Sequence, residues 1–271
     1  SACQKTPIFE AEFMLTMLRS STVVFFMCAA NWLGAQVPLG QVDKGVVYNR
    51  EFGVNIKMLT NRGFAPGISF GQLRSYYKTT FFDISVGELR HPKERRQSAD
   101  PSVGRSFRPY VYGKQYNLVT LRTAWGVKRY FTEKAQTRGV AVGISYAAGP
   151  TLGLLKPYYL ALRRPAPDNP GFSRVTSERY SEENSGIFLD NSRILGASPF
   201  TRGLGESSFI PGGHASLALH LDWGAYDEYI KALEIGVMLD VFARDTPIMV
   251  AERSSPLFLN FFVNLQLGRR K

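Results

Sequence analysis

The chain has almost no cysteine: Cys3 and Cys28 are the two among 271 residues. Two thiols cannot form a disulfide framework, and without a CxxC pair or a Cys/His cluster at zinc spacing a structural zinc is excluded as well. Long hydrophobic runs are also missing. The one conspicuous apolar stretch, residues 22–30 (TVVFFMCAA), is about half of the roughly 20 residues that a spanning helix needs. Acidic residues are the scarcer charge, 22 against 33 Lys and Arg, which leaves the chain at +11. In a cytoplasmic protein that excess points first to nucleic acid. The compartment reverses the reading.

What is abundant is Gly (25), Pro (15), Tyr (13) and Phe (19), a composition of strands and turns rather than helices. Arg19 precedes the apolar stretch, and small residues follow it at Gly34 and Ala35. This is the order of a secretory signal: basic, apolar, cleavable. Cleavage is expected near Ala35, with Leu33 at the outer position; a buried core helix is the alternative for the same pattern. Met14 or Met17 would set Arg19 and the apolar run where a signal needs them, residues 1–13 then being upstream. Cys28 lies inside the apolar run after Phe26-Met27, which disfavours a lipoprotein. Removing residues 1–36 leaves the charge at +11, because Lys5 and Arg19 cancel Glu10 and Glu12. The mature chain is thus exported, free of cysteine, and not directed to nucleic acid.

Across residues 37–271 the dominant pattern has period two. Leu257, Leu259, Phe261, Val263, Leu265 and Leu267 alternate with Phe258, Asn260, Phe262, Asn264, Gln266 and Gly268. Leu233 to Val241 alternates with Glu234, Gly236, Met238 and Asp240, and Leu217 to Trp223 with His220 and Asp222, the last two segments joined as a hairpin through residues 224–227. Phe52, Val54, Ile56 and Met58 face away from Glu51, Asn55 and Lys57; Phe82, Ile84 and Val86 from Asp83 and Ser85; Val119, Leu121, Trp125 and Val127 from Arg122 and Lys128; Val140, Val142 and Ile144 from Ala141 and Gly143. The segments run to about 11–16 residues, near the ~9–11 of a tilted membrane strand and above the ~5–6 of a soluble one. Charges of both signs on the polar face suit a narrow interior, and aromatics (Tyr48, Trp125, Tyr130, Phe131, Tyr158, Tyr159, Trp223, Tyr226, Tyr229) gather near strand ends, as at membrane interfaces. The expected fold is all-β: an antiparallel up-and-down transmembrane β-barrel of eight strands, with ten as the alternative. Short connections fall at residues 61–63, 75–77, 132–137 and 224–227, and long loops at 90–116, 164–211 and 244–256. With eight strands, residues 138–163 form one tall strand kinked at Gly149-Pro150; with ten, the 170–200 region adds a strand.

Short stretches carry a family likeness: Gly34-Ala35-Gln36, His91-Pro92-Lys93-Glu94, Val111-Tyr112-Gly113-Lys114, Gly153-Leu154-Leu155-Lys156-Pro157, Ala232-Leu233-Glu234-Ile235-Gly236 and Leu267-Gly268-Arg269-Arg270-Lys271. In these the chain resembles the small outer-membrane β-barrel proteins of Bacteroidetes-type bacteria. The resemblance implies a single-chain outer-membrane barrel in a family mostly without an assigned activity. One departure is the basic tripeptide at residues 269–271, where a barrel's last strand commonly ends in an aromatic residue.

The polar faces nominate a lumen network of Glu51, Lys57, Asp83, Arg122, Lys128, His220, Asp222, Glu234 and Asp240. His220 and Asp222, set near Glu234 and Asp240 across a hairpin, could serve a hydrolase or acyltransferase acting on lipid or peptide; the plainer reading is a satisfied network filling a narrow barrel, with no catalytic residue, metal or cofactor. His91 and His214 are read as turn residues. Arg90, Lys93, Arg95, Arg96, Arg105, Arg108 and Lys114, against Glu94 and Asp100, form a basic loop suited to lipopolysaccharide phosphates or another anion, or simply solvated. The 164–211 loop is long enough to offer a surface to another outer-membrane protein. The expected role is non-enzymatic and structural or interactive, for instance as an accessory subunit of an outer-membrane complex. A barrel enzyme, a narrow pore and a secreted β-sandwich are the rival readings.

Overall fold

A computed structural model describes residues 49–98, 108–132, 139–166, 169–223, 228–250 and 254–271. The signal segment, the cleavage site at Ala35, Tyr48, Arg105 and Tyr226 lie outside the described residues. No helix among the described residues is long and apolar enough to cross a membrane.

Eight long strands close on themselves: β1 (Arg50–Leu59), β2 (Phe64–Ser75), β3 (Lys78–Leu89), β6 (Tyr116–Tyr130), β7 (Ala141–Pro157), β11 (Ser208–Asp222), β12 (Tyr229–Thr246) and β13 (Ser255–Arg270). Each pairs antiparallel with the next in this order, and β1 returns to β13 with Glu51 opposite Arg270 and Leu59 opposite Phe262. No edge is left open, so every strand finds its backbone partners within the barrel. This is the eight-stranded up-and-down barrel expected from the alternation.

The remaining strands lie outside the barrel ladder. β4 (Arg96–Gln97) pairs with β5 (Tyr110–Val111), and β8 (Tyr159–Ala166) sits between β9 (Asn169–Arg179) and β10 (Ile194–Ala197). The 164–211 region is therefore a folded sheet rather than an irregular loop, and its strands do not raise the barrel count to ten. They cannot insert, because β7 and β11 already pair from Leu155–Ser208 to Ala141–Asp222. β7 runs through Gly149 and Pro150 without ending, and its ladder with β6 passes from Trp125–Ala148 to Arg122–Thr151, skipping both. Proline has no N–H to offer there. The strand stops at Pro157 rather than reaching residue 163.

Among the described residues, strand directions put Arg50, Arg270, residues 76–77, 131–132, 139–140, 223 and 228 on one rim, and residues 60–63, 90–98, 108–115, 158–166, 169–207, 247–250 and 254 on the other. The short Asn61 turn is thus on the loop rim, apart from the other short connections. It is stabilised locally, with Leu59 N–H donating to Gly63 O at 2.9 Å and Asn61 Nδ2 to Asn260 at 2.8 Å.

The two faces separate by chemistry. Outward residues are apolar and exposed, Trp125 at 73%, Phe261 at 62% and Leu259 at 61%, while inward Arg122, His220 and Asp240 are nearly inaccessible. This inverts the arrangement of a soluble barrel. Among the aromatics, Phe131, Trp223 and Tyr229 are exposed near the terminal rim. Tyr130 instead shares the parity of Arg122 and Lys128 and reaches the lumen, Tyr159 opens the loop-rim sheet, and Tyr158 just before it accepts from Val111 N–H.

The interior is not polar throughout. Towards the loop rim it becomes an apolar plug of Leu59, Leu89, Leu118, Leu155, Ile210, Phe242 and Ile248. Ile248 arrives from the β12–β13 connection, which crosses the mouth: Gln115 N–H donates to Ile248 O at 2.8 Å and Val250 N–H to Gly113 O at 2.9 Å. Phe242 fits because Gly153 faces it; a Cβ at Gly153 would come within 2.8 Å of the ring. Phe242→Ala should lower unfolding free energy in micelles by about 3–5 kcal/mol, the usual cost of emptying such a site, read as a fall in the urea midpoint.

Candidate functional site

The lumen brings together side chains far apart in sequence. Arg122 on β6 forks onto Asp240 of β12, Nε to Oδ1 at 2.7 Å and Nη2 to Oδ2 at 3.0 Å, with both residues almost fully buried. Lys57 and Asn55 of β1 bind the two oxygens of Asp83 at 2.5 and 2.6 Å. Glu234 accepts from Asn264 at 2.7 Å and contacts His220 Nδ1 at 2.9 Å, whose Nε2 meets the Tyr130 hydroxyl at 3.2 Å. Lys128 donates to Gln266, which donates to Ser69. At the terminal rim Arg270 bridges Glu51 at 2.8 Å and Asp222 at 2.5 Å. All nine nominated lumen residues thus face inward and are engaged. Paired charges are the form in which ions tolerate burial.

Sequence reading left several members unassigned. Arg270 lies in the unusual basic tripeptide, and its parity with Gln266 and Asn264 turns it inward. His214 is no turn residue: it sits mid-strand in β11, buried, with Nδ1 2.9 Å from Thr151 Oγ1. The ladder aligns Asp240 with His214, and His220 with Glu234; Asp240 is therefore not part of a His220 cluster. His91 does organise a turn, its ring accepting from Lys93 N–H at 3.3 Å while Glu94 accepts from its own N–H.

His220 is fully buried, and its two ring nitrogens are taken by Glu234 and Tyr130. The void beside this network has room worth only about 20 Å³ for the centres of water molecules, about one water. That void is too small for a substrate molecule.

Above the barrel, the loop rim carries a second core of Tyr110, Leu160, Leu162, Phe188 and Ile194. The β4–β5 hairpin joins it through Tyr110 Oη to Asn191 (2.7 Å), Tyr112 Oη to Leu189 O (2.8 Å) and Ala197 N–H to Arg108 O (3.0 Å). Between this layer and the outer barrel wall lies a cleft of about 460 Å³. Of the nominated basic residues, Arg90, Arg96, Arg108 and Lys114 line it; Lys93 and Arg95 are exposed elsewhere on the rim. Lys156, unassigned in the sequence, lines it too. Glu88 binds Arg90 at 2.6 Å, and Glu94 binds Lys114 at 2.8 Å. The cleft therefore has more cations than its carboxylates can match.

No protein-family model matches the chain, and no curated protein does. Among solved structures it is similar to the N-terminal β-barrel domain of Pseudomonas aeruginosa OprF, with 9% identity and a TM-score of 0.36 over 83% of this chain and 98% of that one. It is also similar to Neisserial surface protein A (NspA), with 10% identity and a TM-score of 0.33 over 82% and 95% of the two chains.

Asp240→Asn removes the charge that Arg122 needs and should cost about 3–5 kcal/mol, whereas replacing both by well-fitting apolar residues should be near neutral; a double-mutant cycle in urea checks this. On the loop rim, Arg164 forks onto Glu178 at 2.7 and 2.6 Å. That hydrogen bonding, helped by Thr176 and Asn184, holds the Glu178 carboxyl below the ordinary carboxylate range although burial pushes it up. A depressed carboxylate stabilises fully above its unfolded pKa, about 4.3, and the contribution is lost as pH falls through the folded value. Hydrogen-exchange protection of β8–β9 should thus hold from neutral pH to about 5 and drop below about 4, and Glu178→Gln should remove that acid step.

Proposed function

We propose that the protein is an integral outer-membrane β-barrel of the bacterial envelope, non-enzymatic, whose filled barrel holds a folded loop platform at the cell surface. The observation that carries this is the closed barrel with an apolar exterior and a paired, polar interior. Exposed Leu, Val and Phe around the whole wall find a solvent in lipid, while the interior charges find theirs in one another. The resemblance of short stretches to small outer-membrane barrels of Bacteroidetes-type bacteria is in keeping with the same envelope setting. Placing the loop rim outside the cell follows from barrels keeping their longer loops there and both termini on the periplasmic side. The platform, with its own core and excess of basic side chains, then offers a surface to lipopolysaccharide or to a second outer-membrane protein.

A pore is disfavoured by the apolar plug and by the loop crossing the mouth, and an enzyme by the enclosure of His220. Fractionation and gel mobility with and without boiling test the membrane reading. The expected result is an outer-membrane protein that shifts on heating; a soluble protein with unchanged mobility overturns it. In planar bilayers the folded protein should show no stepwise conductance.

A further inference from the structure

We propose that the rim cleft binds the phosphate of an anionic lipid headgroup, with Lys156 as its central contact and the apolar wall below receiving the acyl chains; this rests on the membrane reading above. The parity of β7 sets the argument. Thr151, Gly153 and Leu155 point inward, so Leu152, Leu154 and Lys156 stand on the outer wall. Lys156 is nevertheless only 3% exposed, because the loop-rim layer covers it. Among the described residues none forms an ion pair with it; the other charge close to it is Lys114, also a cation. Its ammonium lies 4.4 Å from the centre of the Phe200 ring. A buried ammonium with no carboxylate is costly unless an anion is supplied.

The cleft has the means to supply a place for one. Arg96 and Arg108 line it and form no ion pair among the described residues, Glu88 and Glu94 being engaged by Arg90 and Lys114. Ser198 Oγ, lining the same cleft, is buried without a hydrogen-bond partner among the described residues. Phosphate, with its several acceptor oxygens, meets such a mixture of ammonium, guanidinium and hydroxyl donors. The lipid origin follows from what lies beneath. On the same outward rows, one to two steps down from Glu88, Val119 and Lys156, stand Val86, Leu121 and Leu152, each more than 40% exposed. A headgroup held at Lys156 would lay its chains along them.

The test uses the full mature chain, folded in neutral detergent, as wild type, Lys156→Gln and Lys156→Arg, each first shown to keep heat-modifiable mobility. Native mass spectrometry reads retention of diphosphorylated lipid A against phosphatidylcholine, with inorganic phosphate as a soluble competitor. Wild type should retain one lipid A in preference to phosphatidylcholine, Lys156→Gln should retain it roughly tenfold less or weaker still, the size of one charge-assisted hydrogen bond, and Lys156→Arg should recover most of it. Lipid A should raise the urea midpoint of wild type and leave that of Lys156→Gln unchanged. Millimolar inorganic phosphate should not displace the lipid. Equal retention by wild type and Lys156→Gln overturns the site while leaving the barrel reading intact, and full displacement by inorganic phosphate overturns the lipid origin. A soluble protein without a heat shift overturns the barrel reading itself.

Discussion

The ladder between β1 and β13 is the constraint on which the rest of the structure depends. A meander of seven connected strand pairs would leave two edges, each a row of unpaired N–H and C=O groups. In lipid such groups have no water to turn to. Pairing Glu51 with Arg270 and Leu59 with Phe262 removes both edges and fixes the circumference at eight strands. Once the circumference is fixed, so is the interior, which at eight strands is just wide enough for side chains to fill. The same junction places Arg270 between Glu51 and Asp222, so closure of the backbone and neutralisation of the terminal rim occur at one place.

Filling that interior is where the sequence is most tightly specified. Charges that face a narrow lumen lose much of their hydration, and only matched geometry offsets the loss. The bidentate Arg122–Asp240 pair, the Lys57–Asp83–Asn55 group and the His220–Glu234–Asn264 chain all provide it. Towards the loop rim the solution changes from paired charge to hydrocarbon, with Phe242 and Ile248 seated among leucines. A filled lumen leaves the outer wall and the loop rim as the surfaces available for function, and at their junction lies the cleft with Lys156.

Much of the barrel could be read from the chain because side chains on a strand alternate strictly. Leu257 to Leu267 and Phe52 to Met58 disclose the apolar outer wall without any knowledge of neighbours, and Arg122, Lys128 and Asp240 disclose that the other wall is polar. Partnership was not readable. Asp240 pairs with Arg122, 118 positions away, rather than with the histidine nearest to it by pattern, since register is decided by turns and bulges that hydropathy does not encode. The apolar plug was hidden by consecutive apolar residues at Leu118-Val119 and Leu154-Leu155, where period two is lost. His214 was misplaced because nearby glycines and Pro211 suggest a turn, although glycine in a barrel strand also serves close packing.

By itself the sequence determined the fold class, the two faces of each strand and the concentration of positive charge near residue 100, because these depend only on periodicity and composition. The tertiary structure alone decided which charges neutralise one another, that the 164–211 region folds as a sheet over the rim, and that Lys156 lines a cleft whose two carboxylates, Glu88 and Glu94, pair with other cations. Each of those depends on distances between segments far apart in the chain, and such distances exist only after the barrel has closed.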